Sequence, residues 1–294
     1  MVGCAIGDAL GASLEGKSWL NALKIEDLRF NGEWTDDTHM MIGVAESLIA
    51  NKGFNGEHMA WTFIRNWEME PWRGYGPGPP KVFRMIKSGV AWNEAAKRLY
   101  GGMGSLGNGA AMRVAPVGLF YYDEEERLRE IAYKSAEITH AHILGKEGAA
   151  LQAYAVASAL KINKDSFNPL VFIEKLISFV RVPAYRSKLE AAKALLNSDD
   201  KHEVIKKLGN RVEALNSVPT AIYSFVKNHS SYARTVLYAI SLGGDTDTIG
   251  AMAGAIAGAY HGIEGIPSAW IRKLEKIDYI IKLAEELWKI KFKA

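Results

Sequence analysis

The 294-residue chain reads as an all-α protein, a multi-helix orthogonal bundle forming one domain over residues 1–294. Three observations predict this. Apolar residues recur at helical spacing through one segment after another, each roughly 10 to 20 residues long. No run sustains the period-2 alternation of a half-buried strand bounded by turns. No internal repeat or low-complexity linker divides the chain, and its length suffices for one large core.

Composition narrows the function classes. Hydrophobic residues at 48% and charged residues at 23% describe an ordinary soluble globule. The net charge of +3 comes from scattered basic residues, which tolerates a small anionic ligand and gives no case for nucleic acid. Only the tail, Lys289 to Lys293, concentrates basic residues, and it reads as a solvated helix end. Cys4 is the sole cysteine, so no intrachain disulfide is expected and a reducing interior fits. No secretory signal is evident, so the expected compartment is the cytoplasm. The longest glycine- and alanine-rich stretch without charge, Thr248 to Tyr260, is shorter than the ~20 residues a membrane span needs.

The elements follow in order. Val2 to Leu14 is small and apolar, with Gly7 and Gly11 four apart, and predicts a buried helix ending at Glu15. On the residues alone, Glu15 reads first as a solvated acid past that helix. Trp34-Thr35-Asp36-Asp37-Thr38 precedes an amphipathic run from His39 to Ala50, so its acids stand where a helix N-terminus favours anions. Glu57 to Trp67 predicts a further helix. Pro71 to Pro80 is broken throughout by proline and glycine and reads as a loop, with Trp72, Arg73 and Tyr75 as candidates for a ligand mouth. Helical patterns over Lys81 to Lys87 and Ala91 to Tyr100 stop at a stretch from Gly101 to Gly109 with five glycines in nine residues. Such a loop can turn backbone N–H groups towards one anion, although the dinucleotide and P-loop spacings are absent. Ala110 to Tyr122 predicts a short helix bent near Pro116, and Asp123 to Ile138 a helix with an acidic first turn.

Thr139-His140-Ala141-His142 follows. Histidines two apart on a helix do not share a face, and no further Cys or His cluster completes a zinc site, so pocket lining is the better reading. From Gly145 to Phe292 come several more helical patterns, among them one starting at Pro267 and running to the C-terminus. The strongest is Ser241 to Gly262. Glycines at 250, 254, 258 and 262 give one flank of this helix almost no side chains. Each costs roughly 1 kcal/mol in a helix interior, so the repeat implies packing at close range. Asp245, Thr246, Asp247 and Thr248 stand at its start.

Asp36, Asp37, Asp245 and Asp247 brought together would place four carboxylates in a small volume, where all could not stay ionised without cations. Oxygen ligands without Cys or His suit hard ions, Mg2+ or Mn2+. The residues thus point to a two-metal hydrolase acting on a phosphorylated ligand.

These same stretches resemble the ADP-ribosylglycohydrolase family, which includes the dinitrogenase reductase activating glycohydrolase. The resemblance rests on Gly7-Asp8-Ala9-Leu10-Gly11 with Glu15, on Trp34 to Thr38, on Gly104 to Arg113, on Thr139-His140, and on Gly243 to Thr248. It implies a metal-dependent enzyme that cleaves the bond between ADP-ribose and its acceptor, a modified protein side chain or a small ADP-ribosyl compound. Two Mg2+ (or Mn2+) are implied, with Thr35, Asp36, Asp37, Asp245, Asp247 and Thr248 as ligands. Glu15 is implied as the catalytic or gating carboxylate, with Asp37 counted beside it. Gly104, Ser105, Leu106, Gly107 and Asn108 are implied to cradle the diphosphate and ribose, and His140 to add a contact. The segment between Glu15 and Thr35 belongs to the acceptor-facing rim, and Tyr75, Trp72 and Phe120 are the candidates to stack on adenine. The alternatives are a relative that only binds or builds, which loss of the acids would mark, and a hydrolase of another phosphorylated compound.

Overall fold

The computed structural model describes residues 1–16, 30–163 and 166–292. Its first half holds α1 (Val2–Gly11), α2 (Asp36–Asn51), α3 (Gly56–Met69), α4 (Gly78–Lys87), α5 (Ala115–Phe120), α6 (Glu125–Glu137) and α7 (Ile143–Leu160). There follow α8 (Pro169–Phe179), α9 (Pro183–Ala194), α10 (Lys201–Leu208), α11 (Val218–Asn228) and α12 (Tyr232–Ser241). The chain ends with α13 (Thr246–His261), α14 (Ser268–Lys273) and α15 (Ile277–Lys291). The protein is all-α: no strand occurs among the described residues, as the missing alternation predicts. No helix among them is long and apolar enough to cross a membrane.

The fold is built around α13, which is buried along nearly its whole length and packs against α1, α7, α11 and α12. Its closest neighbour is α1, and glycine is the reason. Gly3, Gly7 and Gly11 of α1 meet Gly254, Gly250 and Thr246 in turn. A Cβ on Gly7 would fall on the carbonyl oxygen of Gly250, and a Cβ on Gly250 would lie 2.5 Å from the carbonyl oxygen of Gly7. Only hydrogen fits on either side, so the two backbones touch. Side-chain bonds pin the seam at both ends. Thr246 Oγ1 donates to the carbonyl of Gly11 at 2.8 Å, and the Tyr232 hydroxyl to that of Gly3 at 2.7 Å. The loop entering α13 is held likewise, Gly16 N–H donating to Gly244 O at 2.9 Å. Gly244 has φ +76°, and a side chain there would run into the backbone of Asn210.

Four helix boundaries differ from those read in the sequence, and proline explains two. Pro79 and Pro80 lie in the first turn of α4, which begins at Gly78 inside the expected loop, and Pro116 lies in the first turn of α5 rather than at a bend. Proline lacks only an N–H that a first turn leaves unbonded, so it starts helices as readily as it ends them. Ala91 to Tyr100 is not an α-helix; it forms turns and a 3-10 turn over Ala96–Arg98. The helix expected from Pro267 to the C-terminus is interrupted at Leu274–Lys276, where Lys276 has φ +52°. There Glu275 is drawn aside, its N–H bonded to Gly32 O and its carboxylate to Arg73.

Candidate active site

The start of α2 is organised by a residue outside it. Asp8, fully buried on α1, accepts from the backbone N–H of Thr38 at 3.0 Å and of Thr35 at 3.0 Å, and from their hydroxyls at 2.6 and 2.9 Å. It thereby satisfies donors that the first turn of α2 leaves without intrahelical partners. Thr35 caps the same turn, its Oγ1 accepting from Asp37 N–H at 3.4 Å. From the other side, Arg73 O accepts the N–H of Asp36 at 2.7 Å. The Arg73 guanidinium stacks over Trp34 at 3.8 Å and forks onto Glu275 at 2.6 and 2.8 Å. Asp36 and Asp37 are thus fixed at the floor of a cavity of about 310 Å³.

The start of α13 supplies the facing wall. Asp245 is the N-cap residue, its N–H bonded to Asn210 O at 2.9 Å. Its Oδ2 accepts from Asn108 Nδ2 at 2.6 Å, and that amide also reaches Ser217 Oγ at 3.0 Å. Because the glycine seam sets the end of α1 against the start of α13, Glu15 arrives beside them. One carboxylate oxygen each of Glu15, Asp245 and Asp247 lie within 4.8 Å of one another.

The acids perturb one another strongly. Burial, then the neighbouring Asp8, push Asp36 up to about 8. Burial and the Asp247 charge push Asp37 well above the ordinary carboxylate range, and burial and Asp245 do the same to Asp247. Glu15 is raised by partial burial and by Asp245. Asp8 rises only to about 6, because the donors from Thr38 and Thr35 offset its burial. Such a cluster calls for positive charge, and among the described residues no Lys or Arg lines the cavity. Asp37 Oδ1 is buried and has no hydrogen-bond partner among the described residues, its lone pairs left without a donor. Three carboxylate oxygens drawn together, and a separate buried oxygen of Asp37 without a partner on the same cavity, fit hard divalent cations.

The cavity wall includes Glu15, Asp36, Asp37, Ser105, Gly107, Asn108, His140, Asp245, Asp247 and Thr248. Thr35, Gly104 and Leu106 are not on it. Thr35 Oγ1 is turned to Asp8. Gly104 lies against Ala141 and His142, and Leu106 is exposed with its carbonyl bonded to Ala214 N–H. The anion nest expected of the glycine loop is correspondingly narrower. The N–H groups of Gly104, Gly107 and Asn108 go to Leu99 O, Ser105 Oγ and Val212 O. The stacking candidates are also displaced. Trp72 lines a neighbouring cavity, the Tyr75 hydroxyl is hydrogen-bonded with His39 Nδ1 at 2.9 Å, and Phe120 is buried against Tyr121. The acceptor-facing rim between Glu15 and Thr35 lies largely outside the described residues.

Sequence reasoning missed three members of the site. Asp8 stood within a motif of the first helix but had no role assigned to it. Tyr100 stands at the cavity mouth, an exposed aromatic with φ +53° ahead of two glycines. Arg113, fully buried behind the glycine loop, donates to Gly109 O at 3.1 Å and Thr139 Oγ1 at 2.8 Å.

The model of one family, ADP-ribosylglycohydrolase, matches residues 1–293. The chain belongs to the ADP-ribosylglycohydrolase family. That family comprises glycosyl hydrolases acting on ADP-ribose linkages, and this chain is an enzyme of that kind. Among curated relatives, the chicken ADP-ribosylhydrolase ARH3 is 37% identical, covering 98% of this chain and 91% of its own. The human ADP-ribosylhydrolase ARH3 is 36% identical over 87% of this chain and 78% of its own. An uncharacterised Archaeoglobus fulgidus protein is 33% identical over 99% of this chain and 95% of its own. A solved structure titled ADP-ribosylglycohydrolase-related protein complex superposes with a TM-score of 0.76 at 26% identity, covering 99% of this chain and 95% of its own. The family resemblance and the all-α fold expected from the motifs are therefore both established.

Proposed function

We propose that this glycohydrolase is metal-dependent and, as one domain spanning the chain, releases ADP-ribose from a protein side chain or a small ADP-ribosyl compound. The observation that carries the metal reading is the orphaned, buried Asp37 Oδ1 in a cavity walled by acids. Asp36, Asp37, Asp245, Asp247 and Thr248 would hold two Mg2+ or Mn2+, with Thr35 acting through the carboxylates it orients. Ions held there would supply Lewis-acid positive charge to oxygens of the ligand.

The chain's own residues account for the rest. Breaking that bond gives an oxocarbenium-like sugar, to which a water oxygen adds while one proton leaves the water and one reaches the acceptor. Glu15, the cavity acid with most access to solvent, its pKa raised by partial burial and Asp245, exchanges protons with that water or that leaving atom. Asn108 holds Asp245 in register from the glycine loop. The exposed ring of Tyr100 offers the adenine an apolar face at the mouth.

A panel of ADP-ribosyl-arginine, ADP-ribosyl-serine, O-acetyl-ADP-ribose and simple phosphoesters, each with Mg2+, with Mn2+ and with chelator, tests this reading. Release of ADP-ribose from at least one compound, lost on chelation, is expected. Hydrolysis of phosphoesters alone, or release unchanged by chelator, would overturn it.

A further inference from the structure

The group behind the glycine loop has a hydrogen-bond logic of its own. Arg113 is buried, its Nη1 donating to Thr139 Oγ1 at 2.8 Å and to Gly109 O at 3.1 Å, its Nη2 to Ser135 O at 2.9 Å. Thr139 Oγ1 lies in turn 2.8 Å from His140 Nδ1. A guanidinium only donates, so the threonine oxygen accepts from it and still has one proton to give. Thr139 is fully buried, and His140 Nδ1 is the acceptor in reach. Were Nδ1 protonated instead, the threonine oxygen would accept twice and bury its own proton unbonded, a net loss. The ring proton is therefore on Nε2.

That edge of the ring faces the glycine loop. A Cβ on Gly109 would stand 3.0 Å from Nε2 and one on Gly107 3.4 Å, so the lack of side chains there keeps the edge uncovered, and His140 lines the cavity. Burial, and then the Arg113 charge, hold His140 down to about 3, so the ring is neutral at physiological pH.

We propose that Arg113 and Thr139 are positioning residues which lock His140 as a neutral imidazole protonated on Nε2, a fixed donor to a phosphate or ribose oxygen of the ligand. The ligand class rests on the function proposed above; the tautomer does not. A locked N–H discriminates by sign: it accepts an acceptor oxygen in that position and rejects a ligand donor, without needing a charge.

Long-range proton–nitrogen NMR of the full-length protein, with ADP-ribose titrations, tests the assignment. In the parent, Nε2 should give the protonated-type nitrogen signal and Nδ1 the unprotonated one. Thr139→Val should scramble that pattern and weaken ADP-ribose binding roughly tenfold, the scale of one hydrogen bond within a site. Thr139→Ser, which keeps the hydroxyl, should restore both. A parent protonated on Nδ1 overturns the proposal without any variant being made, and so does a folded Thr139→Val with unaltered signals and affinity. A parent with the expected signals that fails to bind ADP-ribose upholds the lock and sinks the ligand reading instead.

Discussion

Asp37 shows how far single residues could be read. The sequence marked it as one of four acids at helix starts, and the structure adds that one of its oxygens is buried without a partner while Thr35 approaches the other at 3.3 Å. Asp36→Asn and Asp245→Asn should each lower Mg2+ or Mn2+ affinity by at least tenfold and abolish turnover with helicity intact, as calorimetry and circular dichroism would show. Equal metal affinity in both variants would remove the two-sided site. Glu15→Gln should lower kcat by ~10² or more and leave ADP-ribose affinity within a few fold, because it keeps size and loses only proton exchange. Asp8 was not legible in this way. Nothing in a one-dimensional pattern distinguishes a carboxylate facing metal from one that holds another helix's N-terminus, since both need acids near small residues. Thr35 is similar: its hydroxyl reaches Asp8, 27 positions away, as well as its neighbour Asp37, and no local pattern reveals the first of these.

At the scale of elements, the spacing of glycine in α13 announced close packing but not the partner. The partner is α1, with glycines at the same spacing, and only three dimensions could match Gly7 to Gly250. Gly7→Ala puts a methyl onto a backbone carbonyl that no rotamer can move. It should cost about 3 kcal/mol, the upper end of usual overpacking penalties, measured as a lowered denaturation midpoint. Metal affinity should fall with it, since the seam sets Glu15 beside Asp245 and Asp247. An unchanged midpoint would mean that the helices separate at little cost. Helix starts containing proline were harder to read, because Pro79, Pro80 and Pro116 obey the same rule whether they break a helix or begin one. Glu275 could not be read at all; the break between α14 and α15 answers to Arg73, some two hundred positions earlier.

The whole molecule carries its acids at a cost that pH should reveal. Asp36 has an ordinary pKa of 3.8 and reaches about 8 in the metal-free fold, so between those values the folded chain holds a proton that the unfolded chain has released. Stability then falls as pH rises through that window. His39 and His140, held down to about 4 and about 3, act oppositely, but only below their ordinary 6.5. Between pH 6.5 and 8 the acids decide. The thermal midpoint in chelator should fall over that range, and Mg2+ should raise it more at pH 8 than at pH 6.5. A midpoint in chelator that rises with pH would contradict the burial of these acids. The seam between α1 and α13 has a further consequence, in time. Its two runs of glycine are far apart in sequence, Gly11 and Thr246 lying 235 positions from each other, so on a ribosome α1 emerges long before α13 and its apolar faces must wait for it. Contacts of such long sequence separation form late and slowly. The nascent enzyme is therefore inert through most of its synthesis, and its first helix is the segment a chaperone would be expected to shelter.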